Sequence, residues 1–221
     1  MDARLRLSVV VPVLNEAAGI RAALEALAPL RARGHEVIVV DGGSTDGTPA
    51  IATKLCDRVL NAPRGRAAQM NAGAREGRGD MLLFLHADTR LPPGADALVL
   101  NSSTWGRFDV QIEGRHPLLR VLACAMNLRS RLTGIATGDQ AMFVRRAVFP
   151  GFPEIPLMED IALSRALKKI DSPSCLRERV VTSGRRWEAH GVLRTIFLMW
   201  RLRLLYFFGV SPETLARKYG Q

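Results

Sequence analysis

The residue best suited to chemistry in this sequence is Asp88, a carboxylate that closely follows a short apolar run. The run, Met81–Leu85, is uninterrupted and has the length of a strand buried on both faces of a sheet. Open α/β sheets place their ligands at the carboxyl ends of such strands, and Mg²⁺ and Mn²⁺ prefer carboxylate oxygens. Asp88 is therefore a candidate metal ligand, although an aspartate that only caps the following turn would give the same local pattern.

A second carboxylate, Asp41, ends another strand-like run and is followed by the glycines of Asp41–Gly47. Glycines in this position let the backbone approach a ligand closely, and the carboxylate can hydrogen-bond a nucleoside. A glycine-rich turn with a helix cap would explain the same residues. The sequence has neither Gly-x-Gly-x-x-Gly nor Gly-x-x-x-x-Gly-Lys-Ser/Thr, which argues against a dinucleotide oxidoreductase and a simple ATPase.

The elements that must position these carboxylates alternate between strand and helix in the first half of the chain. The predicted strands there are 7–13, 36–41, 58–61 and 81–86, and the predicted helices are 15–33, 46 or 48 to 55, and 66–76. Such repeats with short loops predict a mostly parallel α/β sheet flanked by helices. In the less regular second half the predicted strands are 108–112, 141–144 and 179–182, and the predicted helices are 118–132, 158–170, 191–208 and one beginning at Pro212.

Composition and charge narrow the class of protein further. The 221 residues, 48% of them hydrophobic, suit one globular domain, and three widely spaced cysteines indicate neither a disulfide framework nor a zinc cluster. The net charge of +10 lies in the second half, because residues 1–112 carry 13 basic and 12 acidic side chains whereas residues 113–221 carry 18 and 9. The excess favours an anionic or membrane-associated partner. No nucleic-acid-binding motif and no signal peptide is found, so we expect no nucleic acid partner and a cytoplasmic protein.

Four motifs follow one another in the first half: Val9–Glu16, Val40–Thr48, Gly65–Gly73 and Phe84–Thr89. Together they resemble the nucleotide-binding half of family 2 glycosyltransferases of the GT-A fold. More narrowly, the chain resembles a small bacterial subgroup associated with radical-SAM and selenium-related gene clusters. The resemblance implies a Rossmann-like sheet in a single domain and a hexosyltransferase activity. The expected parts are a nucleotide-sugar-binding half (1–112), an acceptor half (113–190) and a C-terminal helical segment (191–221).

The resemblance also implies which residues bind the donor, a nucleoside diphosphate sugar linked to UDP or GDP. These residues are Pro12, Glu16, Asp41, Gly43, Arg66, Asn71, Asp88, Arg186 and Trp187. Pro12 and Glu16 would flank the base and ribose, Asp41 would accept hydrogen bonds from the base, and Arg66 would face negative charge.

Mn²⁺ or Mg²⁺ would be held by Asp88, which matches the last residue of the family's Asp-x-Asp motif. His190 would complete the metal shell, as a histidine in this region does in some relatives. A purely structural histidine is the alternative for His190. His86 stands where the first acid of the motif is expected, and we interpret it as a packed, hydrogen-bonded side chain.

On the acceptor side, the resemblance assigns the general base to the acidic pair in Leu157–Leu163. Neighbouring helical residues point about 100° apart, so only one faces the site. We choose Asp160 first and Glu159 second, although acids at a helix start also stabilise its dipole. Asp139 and Gln140 would form the loop under the acceptor. The expected transfer to an acceptor hydroxyl is inverting, and non-processive because Ser183 replaces the glutamine of Gln-x-x-Arg-Trp.

The apolar run 192–208 carries three arginines and is too short and too charged for a confident membrane span. It could be an interfacial helix that makes the protein peripheral at the inner membrane surface, a homodimer face, or a core helix. Two other functions compete with the transferase. A nucleotidyltransferase would need a glycine-rich basic loop where Asn15–Gly19 stands, and a non-catalytic membrane-surface or scaffold protein would use only the basic half and this helix.

Overall fold

The fold is built on one mixed sheet, seen in a computed structural model that describes residues 5–219. In that part of the chain the sheet has eight strands, in the order β3-β2-β1-β4-β7-β6-β8-β5. The strands are β1 (Leu7–Val13), β2 (Glu36–Asp41), β3 (Arg58–Asn61), β4 (Met81–Phe84), β5 (Thr89–Arg90), β6 (Trp105–Glu113), β7 (Phe143–Arg145) and β8 (Ser174–Ser183). The predicted α/β class with a mostly parallel sheet flanked by helices is confirmed.

The first four strands form the parallel, doubly wound part of the sheet. β1 lies between β2 and β4, so that Val10 is opposite both Ile38 and Phe84. β7 then runs antiparallel to β4 and to β6, which the first-half pattern does not predict. β6 and β8 are parallel, with a register shift between Phe108 and Asp109. The parallel half therefore ends at β4, and the second half of the chain is joined to it through one short antiparallel strand.

The helices cover both faces of the sheet. They are α1 (Ala17–Glu25), α2 (Ala28–Ala32), α3 (Thr48–Ala52), α4 (Arg66–Glu76), α5 (Ala95–Leu100), α6 (Leu118–Thr133), α7 (Glu159–Leu167), α8 (Arg185–Ala189), α9 (Val192–Phe207) and α10 (Pro212–Tyr219). The single helix predicted over 15–33 is two helices, because Pro29 lies in the first turn of α2 and cannot continue the hydrogen-bond ladder of α1. The predicted start at Pro212 is confirmed.

Close packing fixes α4 against the parallel strands. A Cβ on Gly73 would lie 2.4 Å from Val10 Cγ1 and 3.0 Å from Val40 Cγ2, so only glycine allows this approach. A small separate cluster joins Met158 and Ile161 of the α7 region to Leu202 of α9 and Leu215 of α10. The two C-terminal helices therefore pack against the segment that carries the Glu159–Asp160 pair.

The outer side of α9 is apolar and exposed. Leu193, Phe197, Trp200, Leu204 and Phe207 are spaced three or four residues apart and are each more than half exposed. This does not fit a helix buried on every side, so α9 is not simply a core helix. Within residues 5–219 no helix has the length and apolar character needed to cross a membrane.

Candidate active site

A cleft of about 500 Å³ lies where the two halves of the chain meet. It is open along the carboxyl ends of β1 and β4, as expected for ligand sites in α/β sheets. Nine of the residues that the sequence suggested line it: Pro12, Glu16, Arg66, Asp88, Asp139, Glu159, Asp160, Arg186 and Trp187. The cleft therefore places the predicted donor residues opposite the predicted base.

The loop after β1 is held in place by side chains of the loop after β2. The backbone N–H of Asn15 donates to Ser44 Oγ at 2.8 Å, that of Glu16 to Thr48 Oγ1 at 2.9 Å, and that of Ala17 to Asp46 Oδ2 at 2.9 Å. These contacts direct the Glu16 carboxylate into the cleft. They also use the backbone donors that a phosphate-binding loop would need.

Glu16 and Asp88 form the acidic end of the cleft. Burial raises the pKa of Glu16; the Arg185 guanidinium, 3.8 Å away, works to lower it and the Asp88 carboxylate to raise it further. Asp88 itself is exposed to the cleft. Its position is fixed by the next residue, since Thr89 pairs with Thr182 of β8 and the two hydroxyls lie 2.9 Å apart.

Asp41 and Gly43 do not line the cleft, so the predicted contact of Asp41 with the base is not what the structure shows. Asp41 is 3% exposed, and its carboxylate accepts the N–H groups of Gly43 and Ser44 and the Ser44 hydroxyl. Gly43 has φ of +93°, a turn conformation that favours glycine. Both residues shape the loop that supports the donor end.

The motif at the start of α4 contributes Arg66 to the cleft and also Gln69, which the sequence analysis missed. Arg66 lines the cleft, and although desolvation works against it, the carboxylates of Asp139 and Glu159 raise the pKa of Arg66. Gln69 is 4% exposed, and its amide donates to the carbonyls of Val13 and Val40, both at 2.8 Å. Gln69 therefore ties together the ends of β1 and β2.

Asn71 was predicted to bind the donor and Gln140 the acceptor, but the side chains of both point into the protein interior. The amide of Asn71 donates to the Phe152 carbonyl at 2.8 Å and accepts the Phe152 N–H at 2.7 Å. Gln140 is fully buried; its amide donates to Ser130 Oγ at 3.1 Å and its carbonyl oxygen receives the Thr137 N–H. A buried amide requires such partners, so neither side chain is free for a substrate.

His86 and Asp139 meet at the floor of the cleft. His86 Nδ1 lies 3.5 Å from Asp139 Oδ1, and the ring packs on Gly138, where a Cβ would come within 2.7 Å of Nε2. Burial works to raise the pKa of Asp139, but the His86 ring and the Arg66 guanidinium outweigh it and the pKa is lowered. The interpretation of His86 as a packed, hydrogen-bonded side chain agrees with these contacts.

His190 is a further correction, because it lies outside the cleft. It is exposed at the end of α8, and its Nδ1 is 3.0 Å from the Arg186 carbonyl. Within residues 5–219 no three His, Cys, Asp or Glu side chains converge on one point. Of the two predicted metal ligands, only Asp88 faces the cleft.

The Glu159–Asp160 pair begins α7. Asp160 Oδ2 accepts the Gly138 N–H at 3.0 Å, and Oδ1 accepts the Ile161 N–H at 2.7 Å. Glu159 is 6% exposed, and burial together with the Asp160 charge raises the pKa of Glu159 to about 7. The two carboxylates thus differ: Asp160 is held by backbone donors at the cleft wall, and Glu159 retains a proton up to neutral pH.

Replacing Glu159 by glutamine is expected to stabilise the folded protein above neutral pH. Because the folded pKa, about 7, lies above the usual 4.5, the unfolded carboxyl ionises first and stability falls as pH rises between those values. Removing the group should recover on the order of 3 kcal/mol at pH of about 8 and much less at about 5. Urea unfolding of both proteins at the two pH values measures this, and an equal gain at both would contradict it.

α8 and the C-terminal helices also border the cleft. The Arg186 guanidinium lies 4.6 Å from the centre of the Tyr219 ring. Trp187 lines the cleft and packs on the hydrophobic core below it. Arg203 of α9 also reaches the cleft, although the sequence marked it only as a charge on an apolar helix.

Comparison with known proteins agrees with this geometry. The family described as Glycosyl transferase family 2 matches residues 8–115. An undecaprenyl-phosphate 4-deoxy-4-formamido-L-arabinose transferase of Aeromonas hydrophila is 35% identical over 97 residues, which cover 39% of this chain and 30% of that protein. The matched part of this chain spans less than half the length of such curated relatives.

Solved structures share the fold over almost the whole chain. A mannosyltransferase of Pyrobaculum calidifontis, in complex with GDP-Man and Mn²⁺, has a TM-score of 0.65 at 23% identity, covering 99% of this chain and 70% of its own. Glucosyl-3-phosphoglycerate synthase of Mycobacterium tuberculosis, with Mn²⁺, UDP and phosphoglyceric acid, has a TM-score of 0.64 at 20% identity, covering 95% and 80%. The chain therefore has the GT-A fold, and its residues 8–115 match the model of glycosyl transferase family 2.

Proposed function

We propose that this protein is a glycosyltransferase that moves a sugar from a nucleoside diphosphate donor to an acceptor hydroxyl. The observation that carries the proposal is the single cleft in which Glu16 and Asp88 lie opposite Glu159 and Asp160. One end of this cleft comes from residues 8–115, which match the family 2 model, and the other end offers a carboxylate that can act as general base. The narrower bacterial subgroup suggested by the motifs is part of the same proposal.

The cleft suits a nucleoside diphosphate sugar. Arg66 and Arg186 supply cations around its walls, and arginine binds phosphate oxygens well. Pro12 offers an apolar surface at the end of β1, where the nucleotide base of the donor would lie. UDP and GDP-Man are bound by the two structures compared above, and this supports a UDP- or GDP-linked donor here.

A divalent cation fits the donor end of the cleft only as an ion shared with the substrate. Asp88 offers an exposed carboxylate with Glu16 nearby, which are oxygen ligands of the kind that Mg²⁺ and Mn²⁺ prefer. The remaining positions would be filled by diphosphate oxygens and water. When bound, such an ion neutralises charge on the departing nucleoside diphosphate.

For the transfer, we assign Asp160 as the general base and Glu159 as the second choice. The acceptor oxygen attacks the anomeric carbon, the bond to the diphosphate oxygen breaks, and the acceptor proton moves to the Asp160 carboxylate. The Gly138 N–H orients that carboxylate. A single displacement of this kind inverts the configuration at the anomeric carbon, and we propose it as non-processive.

A nucleotidyltransferase is disfavoured by the loop after β1. Its backbone N–H groups at positions 15, 16 and 17 donate to Ser44, Thr48 and Asp46, so they do not point at a triphosphate. A non-catalytic scaffold role is disfavoured because it would not explain why these charged residues line one cleft.

Calorimetry with nucleotides tests the proposal directly. With Mn²⁺ present, we expect the protein to bind UDP or GDP, or one of their sugars, with micromolar to millimolar affinity, about −4 to −8 kcal/mol. ATP and free uridine serve as controls for charge and base alone. Absence of binding by every member of the panel, with the protein folded, would overturn the proposal.

A further inference from the structure

A second cavity, of about 200 Å³, opens beside the cleft between α6 and α9. Most of its wall is apolar and comes from Leu122 and Met126 of α6 and from Ile196, Met199 and Trp200 of α9. It shares four lining residues with the cleft: Asp139, Trp187, Met199 and Arg203. A molecule in this cavity would therefore lie next to the cleft. We refer to it as the side cavity.

Two arginines in the side cavity have buried donors without acceptors. Nε and one terminal nitrogen of Arg129, and Nε of Arg203, are inaccessible and find no hydrogen-bond partner within residues 5–219. Neither guanidinium is within ion-pair distance of a carboxylate in that part of the chain. Buried, unsatisfied charged donors are costly, and proteins keep them where a ligand supplies the acceptor.

The Arg203 guanidinium also raises the cost of the charge on Arg129. Burial, followed by the nearby Arg203 charge, lowers the pKa of Arg129 to about 10, and burial lowers the pKa of Arg203. Both therefore remain cationic at neutral pH. The Asp139 and Asp160 charges offset part of this repulsion without forming a hydrogen bond to either arginine. An anion between the two guanidiniums would satisfy the free donors and remove the repulsion.

We propose that the side cavity binds a phosphate group and an adjoining apolar portion of the acceptor substrate, whose reacting hydroxyl lies in the cleft. Phosphate oxygens match two converging guanidiniums, and the apolar wall accommodates a hydrocarbon portion rather than a second polar one. The mouth of the cavity includes Trp200, which is 61% exposed and continues into the apolar outer side of α9. An acceptor chain can thus run from Arg129 and Arg203 onto that surface. This inference rests on the proposed transferase function, since it names the class of acceptor.

Decyl phosphate, used below its micelle concentration, is the probe. We expect the protein to bind decyl phosphate at least about tenfold more tightly than inorganic phosphate or decanol. Arg129→Met and Arg203→Met should each weaken binding by about tenfold or more, whereas Arg201→Met, an exposed arginine on the same helix, should change it by no more than about twofold.

Thermal unfolding without ligand separates a binding role from a structural one. If the arginines await an anion, Arg129→Met should leave the melting temperature unchanged or raise it, because methionine removes an unpaired buried charge. Equal affinity for inorganic and decyl phosphate would overturn the apolar part of the proposal. Unchanged decyl phosphate binding in both variants, or their destabilisation, would overturn the arginine site.

Nucleotide binding, measured on the same samples, distinguishes the two proposals. UDP or GDP binding without decyl phosphate binding would reject the acceptor site alone. Decyl phosphate binding that depends on the arginines, with no nucleotide bound by any variant or by the unmodified protein, would reject the transferase function instead.

Discussion

Replacing Asp160 by asparagine is expected to lower kcat by about 10²- to 10⁴-fold while leaving donor affinity unchanged. Asparagine has the shape of aspartate, and its carbonyl oxygen can still accept the Gly138 N–H, so the loop and α7 should keep their positions. Because the amide cannot accept the acceptor's proton, only the rate of the catalytic step should fall. Release of nucleoside diphosphate in the presence of acceptor gives kcat, and calorimetry with the donor nucleotide gives the affinity.

Glu159→Gln is the matched control, because it changes the neighbouring carboxyl on the same helical turn. We expect it to lower kcat by less than about tenfold. The reverse result, a large loss in Glu159→Gln and a small one in Asp160→Asn, would make Glu159 the base. In that case kcat of the unmodified protein should fall as pH drops below about 7, since the pKa of Glu159 lies there and a base must be deprotonated.

Replacing Asp88 by asparagine is expected to abolish the gain in donor affinity that Mn²⁺ provides. Asp88 is the predicted metal ligand that faces the cleft, and an amide oxygen is a weaker ligand than a carboxylate for a hard cation. Loss of one ligand should weaken nucleotide binding in Mn²⁺ by about 10- to 100-fold. Titrations of UDP and GDP with Mn²⁺ and with EDTA measure the effect, and the two proteins should be alike in EDTA.

Asp80→Asn provides the control on the same strand. Asp80 precedes β4 at its opposite end and accepts the Arg6 N–H at 2.8 Å, away from the cleft. Its replacement should leave the Mn²⁺ effect unchanged. If Asp88→Asn kept the full Mn²⁺ effect, the ion would have to be held elsewhere, and Glu16 would be the first residue to examine.

The first half of the fold could be predicted from sequence because each of its strands is marked by a short run of neighbouring apolar residues. Each apolar run of 36–41 or 81–85 is buried on both sheet faces, so composition alone identifies it as a strand. Parallel strands joined by helices then align their carboxyl ends, and this is why Glu16 after β1 and Asp88 after β4 line one cleft. In the second half, β8 carries the charged residues Arg177–Arg179 and is longer than its apolar part suggests.

The misplaced residues are polar side chains whose partners are distant in sequence. Asn71 bonds to Phe152, and Gln140 to Ser130, across loops whose approach no local pattern shows. His190 follows Arg186 and Trp187 closely in sequence but lies at the C-terminal end of α8, outside the cleft. A polar side chain that is hydrogen-bonded inside the protein and one that binds a ligand can be of the same residue type. Only their tertiary contacts distinguish the two.

The packing of Gly138 limits which substitutions this site can accept. Its N–H holds Asp160, and its α-carbon has no room for a side chain because the His86 ring occupies that space. Any substitution there would displace the base, the histidine, or both, so mutational effects at these three positions should be strongly epistatic. New acceptor specificities would then arise more readily from α6 and α9, whose side chains border the site without fixing its geometry.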